Sequence, residues 1–318
     1  MGRILGRHPS VFTFEELHFF EQWWQPRLPP SVTQPAEAVR LAAVLLGTQR
    51  EGYRHHHRGR GCEADAKALV QTIEPPLTAP RVFAAFMARE AAAHGAEAGC
   101  DQTPRNLYYL PELLELYQEA VAVVMVRDPR DVLLSQKNRW HRRSLGARRA
   151  TRRNVVRTWS GYHPFTISVL WRSGVRAGAR VTGHPRVVHV RFEDLLSDPV
   201  AQVKTVCDRV GIEFEPQMLD VPHIGSSNVA DRPNEHGIDP ATAGRWREGL
   251  SPTEAWICQR VTLAEMASHG YRPAMVRPSP ARVVGSGLSL AGKSGLALAM
   301  NARRSKNLFE AARRRLAS

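Results

Sequence analysis

Acidic residues, cysteines and long apolar runs are scarce in this sequence. It has 30 Asp and Glu against 44 Lys and Arg, a formal charge of +14, so we expect an anionic partner: nucleotides, nucleic acid or an acidic membrane surface. Its four cysteines form no CxxC pair, which favours reduced thiols and a cytoplasmic protein. A run of about 18 apolar residues is lacking, which argues against a membrane-spanning helix.

Two apolar, β-branched runs alternate with helical patterns. The first, AVAVVMV, occupies residues 120–126, and the second, RVVHVRF, occupies residues 186–192. A continuous apolar run is typical of a strand buried on both faces of a parallel sheet. We predict helices at residues 80–98 and 105–118, and another that ends near Gly211. The pattern predicts an α/β fold with a parallel central sheet flanked by helices.

The first strand leads directly into a helix start. Asp128 suits the N-cap and Pro129 the first helical position. Arg127 then lies at the carboxyl end of the strand and Ser135 about two turns into the helix. A guanidinium, a hydroxyl and a helix N-terminus together favour a phosphate site. Alternatively, Arg127 simply neutralises Asp131 and Ser135 is a solvated helix residue.

This region resembles a known family. RDPRD followed by Ser135 is similar to the 3′-phosphate-binding motif of sulfotransferases that use 3′-phosphoadenosine-5′-phosphosulfate (PAPS). DQTPRNLYYLPELLELY, VRFEDLLSDP and AGRWREGLSPTEA resemble further family segments, in the same order. The resemblance covers roughly residues 1–272, and it implies a P-loop-like sulfotransferase fold, sulfuryl transfer from PAPS to an acceptor hydroxyl, and no metal.

The resemblance also assigns residue roles. It implies that the nucleotide is held by Arg127, Ser135, Arg139, Phe192, Ser227 and Arg245. Phe192 stands where the family usually has a tyrosine, and core packing is its alternative role.

Glu16 matches the acidic residue that acts as the catalytic base in some members. Its alternative roles are a solvated helix residue or a capping partner.

The sequence departs from the family pattern twice. The strand and loop that hold the 5′-phosphosulfate should precede HPSVFTFEELHFF, but nothing precedes Met1, so we expect a shortened chain with impaired transfer. The family often has a lysine just before Thr-Pro. In this sequence that position is Gln102, whose amide cannot carry a proton to the leaving group.

Three other patterns suggest different functions. Residues 287–294, GLSLAGKS, match a Walker A motif and suggest a P-loop nucleotide-binding protein, although only 24 residues follow.

The basic stretch 139–153 suggests nucleic-acid binding, but its few aromatic residues favour a loop bordering the acceptor site, so we expect no nucleic-acid partner. The three histidines in residues 50–61 suggest a metal, but adjacent side chains rarely converge on one ion.

The composition shifts to Ser, Gly, Pro and Arg near residue 275. We therefore predict a sulfotransferase-like domain at residues 1–274 and a basic, partly helical tail at 275–318. Residues 301–317 form a basic amphipathic pattern, which suggests peripheral contact with an anionic membrane surface. A carbohydrate, a lipid, a small molecule or a tyrosine could each supply the acceptor hydroxyl.

Overall fold

The computed structural model describes residues 1–24, 30–52, 61–139, 159–224, 231–301 and 313–315, with the backbone alone for 297–301. The chain divides into two compact units. The first comprises residues 1–122 and 207–221, and the second comprises residues 123–206 and 222–318. The domain boundary placed at residue 274 stays a prediction.

The first unit is mainly helical. Its elements are α1 (Gly2–Leu5), β1 (Val11–Thr13), α2 (Phe19–Gln22), α3 (Pro35–Glu51), α4 (Glu63–Gln71), α5 (Ala79–Ala93), β2 (Ala98–Cys100), a 3₁₀ helix (Pro104–Tyr109), α6 (Leu110–Leu116) and a second 3₁₀ helix (Pro216–Leu219).

Strands β1 and β2 form a parallel pair, in which Phe12 lies opposite Gly99. A Cβ at Gly99 would lie 2.8 Å from the Phe14 ring and 3.0 Å from the Met87 methyl group, so only glycine fits between them. The predicted helix over 80–98 is wrong at its end, because α5 stops at Ala93 and residues 98–100 are extended. Three-residue strands leave too little pattern to be recognised in the sequence.

An aromatic cluster forms the core of the first unit. The Phe19 and Phe83 rings stack at 4.3 Å, and Phe20 meets Trp24 edge-on at 5.6 Å. Phe14, Phe19, Phe20 and Phe86 are all buried. Because these side chains come from the segment after β1 and from α5, their burial fixes residues 14–24 against that helix.

The second unit carries the predicted motif. Its elements are β3 (Ala122–Val126), α7 (Pro129–Asn138), α8 (Pro164–Ala179), β4 (Val187–Arg191), α9 (Phe192–Ser197), α10 (Pro199–Val210, whose last four residues lie in the first unit), β5 (Pro222–His223), β6 (Arg232–His236), a 3₁₀ helix (Pro240–Thr242), α11 (Trp246–Gly249), α12 (Pro252–Ser268) and α13 (Pro280–Asn301).

Helices flank three two-stranded sheets in the described residues: β1–β2, β3–β4 and the antiparallel β5–β6. The predicted α/β class is confirmed. The predicted strands appear as β3 and β4, and the third predicted helix ends at Val210 before Gly211, whose φ of 82° suits glycine. Burial along β3 alternates between buried and half-buried, so its two faces are not equally covered.

Helix α7 packs against α11 and α12. Leu133 and Leu134 share an apolar cluster with Trp246, Leu250 and Cys258. This contact holds the helix that carries Ser135 to the segment that follows residue 245.

A close approach at Gly249 gives a stability prediction. A Cβ there would lie 2.5 Å from a Leu134 methyl group, whereas at Gly292, in α13, it would meet nothing within 4 Å. We expect Gly249→Ala to lower the free energy of unfolding by about 1–3 kcal/mol through overpacking. Gly292→Ala should leave it unchanged or raise it by up to about 1 kcal/mol. Urea unfolding of both variants checks this, and equal effects would contradict the close contact.

Candidate nucleotide-binding site and candidate base

Arg127 lies just beyond β3 and is held on three sides. Its Nη2 donates to the Thr242 carbonyl at 2.7 Å, its guanidinium lies 4.3 Å from the Phe192 ring centroid, and its own carbonyl accepts from Trp171 Nε1 at 2.9 Å. Its Nε is buried and has no hydrogen-bond partner in the described part of the chain. A buried donor without a partner is costly, so this edge of the fork suits an anionic ligand.

The loop before α11 brings a second arginine to this region. Arg245 Nε donates to the Ala241 carbonyl at 3.0 Å, next to the Thr242 carbonyl that holds Arg127. The two predicted arginines, Arg127 and Arg245, thus contact consecutive carbonyls of one loop. Ser227 lies outside the described residues.

Ser135 and Arg139 follow along α7. The Ser135 hydroxyl is half-buried and forms no hydrogen bond to the residues that the structure describes. Arg139 is the exposed C-cap of α7, and its Nη1 lies 3.5 Å from Gln136 Oε1. Spaced four residues apart, Ser135 and Arg139 share one helix face.

Asp131 ties α7 to the loop that carries Arg245. Its carboxylate is almost fully buried and accepts the Gly244 N–H at 2.6 Å and the Trp246 N–H at 2.9 Å. Burial raises the pKa of Asp131 above the ordinary aspartate value, although the two amide donors act in the opposite direction. Arg127 and Asp131 form no direct ion pair, because Arg127 donates to the Thr242 carbonyl and Asp131 accepts from amides. The charge of Arg127 nevertheless favours the ionised carboxylate and acts to lower the pKa of Asp131, so the alternative that Arg127 neutralises Asp131 stays open.

Arg130, the other arginine of the motif, is structural. Its guanidinium pairs with Asp128 at 2.6 Å, donates to Gln259 at 3.0 Å and lies 4.1 Å from the Trp246 ring centroid. Arg130 and these three partners are all buried. The Arg130 side chain therefore serves to hold α7 to α12.

Glu193 fixes the turn between β3 and α7. Its carboxylate accepts the Asp128 N–H at 3.0 Å and the Tyr271 hydroxyl at 2.6 Å. The family resemblance includes VRFEDLLSDP, but it assigns no role to Glu193. In the sequence, Glu193 is recognisable only as an acidic residue directly after a predicted strand. Its partner, the Asp128 N–H, lies 65 positions earlier in the chain, so the contact could not be predicted from the local sequence.

Glu16 lies between β1 and α2, outside any helix. Its carboxylate is about half exposed and lies 3.3 Å from His18 Nε2. On the other side, His18 Nδ1 lies 3.4 Å from the buried carboxylate of Glu21, which pairs with Arg105. Glu16 is therefore the exposed end of a row of alternating charges.

His18 carries a charge within this row. Burial opposes the imidazolium, but Glu16 and Glu21 outweigh it and raise the pKa of His18 to about 9. Its backbone φ of 53° is left-handed, and its N–H donates to Thr103 Oγ1 at 3.2 Å. The chain turns sharply here, which places both carboxylates around one ring.

Gln102 donates from Nε2 to the Phe14 carbonyl at 3.2 Å. A Cβ at Gly2 would lie 2.5 Å from its Oε1. The side chain is thus a packed link between α1 and the segment after β1.

The Walker-like residues 287–294 lie inside α13, without the loop that this motif needs. Lys293 donates to the Tyr162 carbonyl at 3.1 Å. The histidines 55–57 and most of the basic stretch 139–153 lie outside the described residues.

We expect Asp131→Asn to lower the free energy of unfolding by about 1–3 kcal/mol, because an amide cannot accept both N–H groups and leaves one buried donor unpaired. Glu248→Gln, an exposed change in α11, is the matched control and should stay within about 0.5 kcal/mol of the parent. Urea unfolding measures both, and an unchanged Asp131→Asn protein would contradict the role given to this carboxylate.

His18 gives a pH prediction. Because its pKa is raised from 6.5 to about 9, its stabilising effect is fully present below pH 6.5 and is lost as the pH rises through about 9. Relative to His18→Gln, the parent should lose about 3 kcal/mol between about pH 6 and pH 10. Urea unfolding at both pH values measures this, and NMR titration of the imidazole gives the pKa directly. A pKa near 6.5 would contradict it.

Comparison with known proteins agrees with these motifs. Residues 1–216 match the model of the family described as the sulfotransferase family. Sulfotransferase 2A6 of Rattus norvegicus is 23% identical in an alignment of 174 residues, and the match covers 49% of this chain and 60% of the rat protein. The chain thus spans about three fifths of the length of this relative.

Two solved structures align with most of this chain. The sulfotransferase domain of the Synechococcus PCC 7002 olefin synthase aligns with a TM-score of 0.50 and 20% identity, over 85% of this chain and 89% of that domain. The sulfotransferase domain from the curacin biosynthetic pathway aligns with a TM-score of 0.48 and 18% identity, over 86% and 93%. The family match covers about two thirds of the sequence, and the chain belongs to the sulfotransferase family.

Proposed function

We propose that this chain binds PAPS, the donor that the family normally uses, through the 3′-phosphate of the nucleotide. The observation that carries the proposal is the buried, unpartnered Nε of Arg127. Thr242 and Phe192 hold the guanidinium in place, so that the Arg127 side chain loses little further conformational freedom when a phosphate binds. The Ser135 hydroxyl and the guanidinium groups of Arg139 and Arg245 add further hydrogen-bond donors. Ser227 remains proposed as a nucleotide-binding residue.

The proposed reaction is sulfuryl transfer to a hydroxyl. The acceptor oxygen forms a bond to sulfur, the bond from sulfur to the 5′-phosphate oxygen breaks, and 3′-phosphoadenosine-5′-phosphate (PAP) leaves. Glu16 would accept the proton of the acceptor hydroxyl, as a general base. Its half-exposed carboxylate can be reached by a substrate, and His18 restricts its orientation.

The acceptor is proposed only as a class, a hydroxyl-bearing carbohydrate, lipid, small molecule or tyrosine. None of the described contacts selects among them.

The tail at 301–318 is proposed to touch an anionic membrane surface, on the basis of its basic amphipathic sequence. Among the residues that the structure describes, no helix is both long and apolar enough to cross a bilayer.

Thermal unfolding with nucleotides tests donor binding. We expect PAP to raise the melting temperature more than equal concentrations of AMP or ADP, which lack the 3′-phosphate. Arg127→Gln should weaken PAP binding by about tenfold to a hundredfold, the effect of losing a charge-assisted hydrogen bond.

Lys293→Ala is the matched control, because it removes the cation of the Walker-like segment. It should leave the PAP response intact even if it lowers the starting melting temperature. Equal responses to the three nucleotides, or a PAP response lost with Lys293→Ala and kept with Arg127→Gln, would overturn the proposal.

A further inference from the structure

Helix α13 docks on the second unit by one side only. The Ser286 carbonyl lies 3.0 Å from His163 Nε2, and Lys293 donates to the Tyr162 carbonyl and lies 4.7 Å from the Trp159 ring centroid. Ser286 and Lys293 are seven residues apart, so they lie on the same side of the helix. These contacts fix which side of α13 faces outward.

The outward side is apolar and uncovered. Val284 is 64% exposed and Leu288 is 78% exposed. A Cβ added at Gly292 or Gly295, which continue this side, would meet nothing within 4 Å. The only charged residues between 280 and 301 are Arg282 and Lys293, and Lys293 belongs to the docked side. The outward side of a helix on a soluble protein is normally polar, so this one suits an apolar partner.

The segment that contains this helix is strongly basic in sequence. Residues 272–318 contain ten lysines and arginines and a single acidic residue, Glu310. Three of the arginines, Arg272, Arg277 and Arg282, are exposed and form no ion pair with the described carboxylates.

We propose that α13 lies on an anionic lipid surface, with Val284 and Leu288 entering the boundary between headgroups and acyl chains. An exposed apolar helix face within a strongly basic segment fits such a surface on both counts, since anionic lipids attract the basic side chains while the boundary region takes up the apolar ones. A second copy of the chain would bring the same dense positive charge to the interface, which opposes self-association through this face.

The proposed surface is independent of donor binding. Helix α13 contains none of the residues proposed to hold the nucleotide, which are Arg127, Ser135, Arg139, Phe192, Ser227 and Arg245. It also differs from the tail proposal, because it uses the face of α13 around Val284 and Leu288 rather than the amphipathic pattern of residues 301–318.

Co-sedimentation of the full chain with phosphatidylcholine–phosphatidylserine vesicles tests the proposal, with pure phosphatidylcholine vesicles as reference. The full chain should bind the anionic vesicles preferentially, and added salt should weaken the binding. The double variant Val284→Gln/Leu288→Gln keeps every charge, and it should bind about tenfold or more weakly.

The matched control is Ser289→Gln/Ser294→Gln, which changes exposed positions on the flanks of the same helix and should bind like the parent. Circular dichroism and the melting temperature establish that each variant is folded. Equal binding by parent and double variant, or none by the parent, would overturn the proposal. So would binding that depends on residues 302–318 but not on Val284 and Leu288. A parent dimer that the double variant converts to a monomer in sedimentation velocity without vesicles would identify a second copy as the occupant instead.

Discussion

The buried carboxylate of Asp131 is the constraint on which the candidate phosphate site depends. It sits in the first turn of α7 and accepts the N–H groups of Gly244 and Trp246, more than a hundred residues later. The loop just before these amides supplies the carbonyl of Thr242 that holds Arg127 and the carbonyl of Ala241 that holds Arg245. Without the Asp131 carboxylate, the first turn of α7 would lose both hydrogen bonds that it accepts from the Gly244 and Trp246 N–H groups, and those two donors would lose their partner.

The first unit has a corresponding arrangement around His18. The imidazolium lies between an exposed and a buried carboxylate, and Arg105 compensates the buried one. A charged histidine between two acids is favourable only while it keeps both partners. The orientation of the exposed carboxylate, Glu16, is therefore set by His18 and, through His18, by the buried Glu21.

The sequence predicted local features well where one segment carried the whole signal. The turn from β3 into α7 is such a case, because Asp128 and Pro129 determine the helix start through their own chemistry. The apolar runs also located β3 and β4 within one or two residues. The positions of Arg127 and Ser135 followed from these elements.

Features that depend on distant partners could not be predicted. Strands β1 and β2 are three residues long and become strands by pairing with each other across 87 positions. The roles of Asp131 and Glu193 depend on amides and a hydroxyl from remote segments. Arg127 was expected to bind phosphate, but no pattern in the sequence shows that Phe192 and Thr242 hold it.

The two arginines of the Arg-Asp-Pro-Arg motif have different physical roles. Arg130 is buried, and its guanidinium contacts Asp128, Gln259 and Trp246. Replacing Arg130 would therefore reduce the amount of folded protein. Arg127 keeps one donor unused within the described chain, so its loss would be felt when ligand is present. A screen for soluble expression would therefore discard Arg130 variants and retain Arg127 variants, although the motif presents both as equivalent cations.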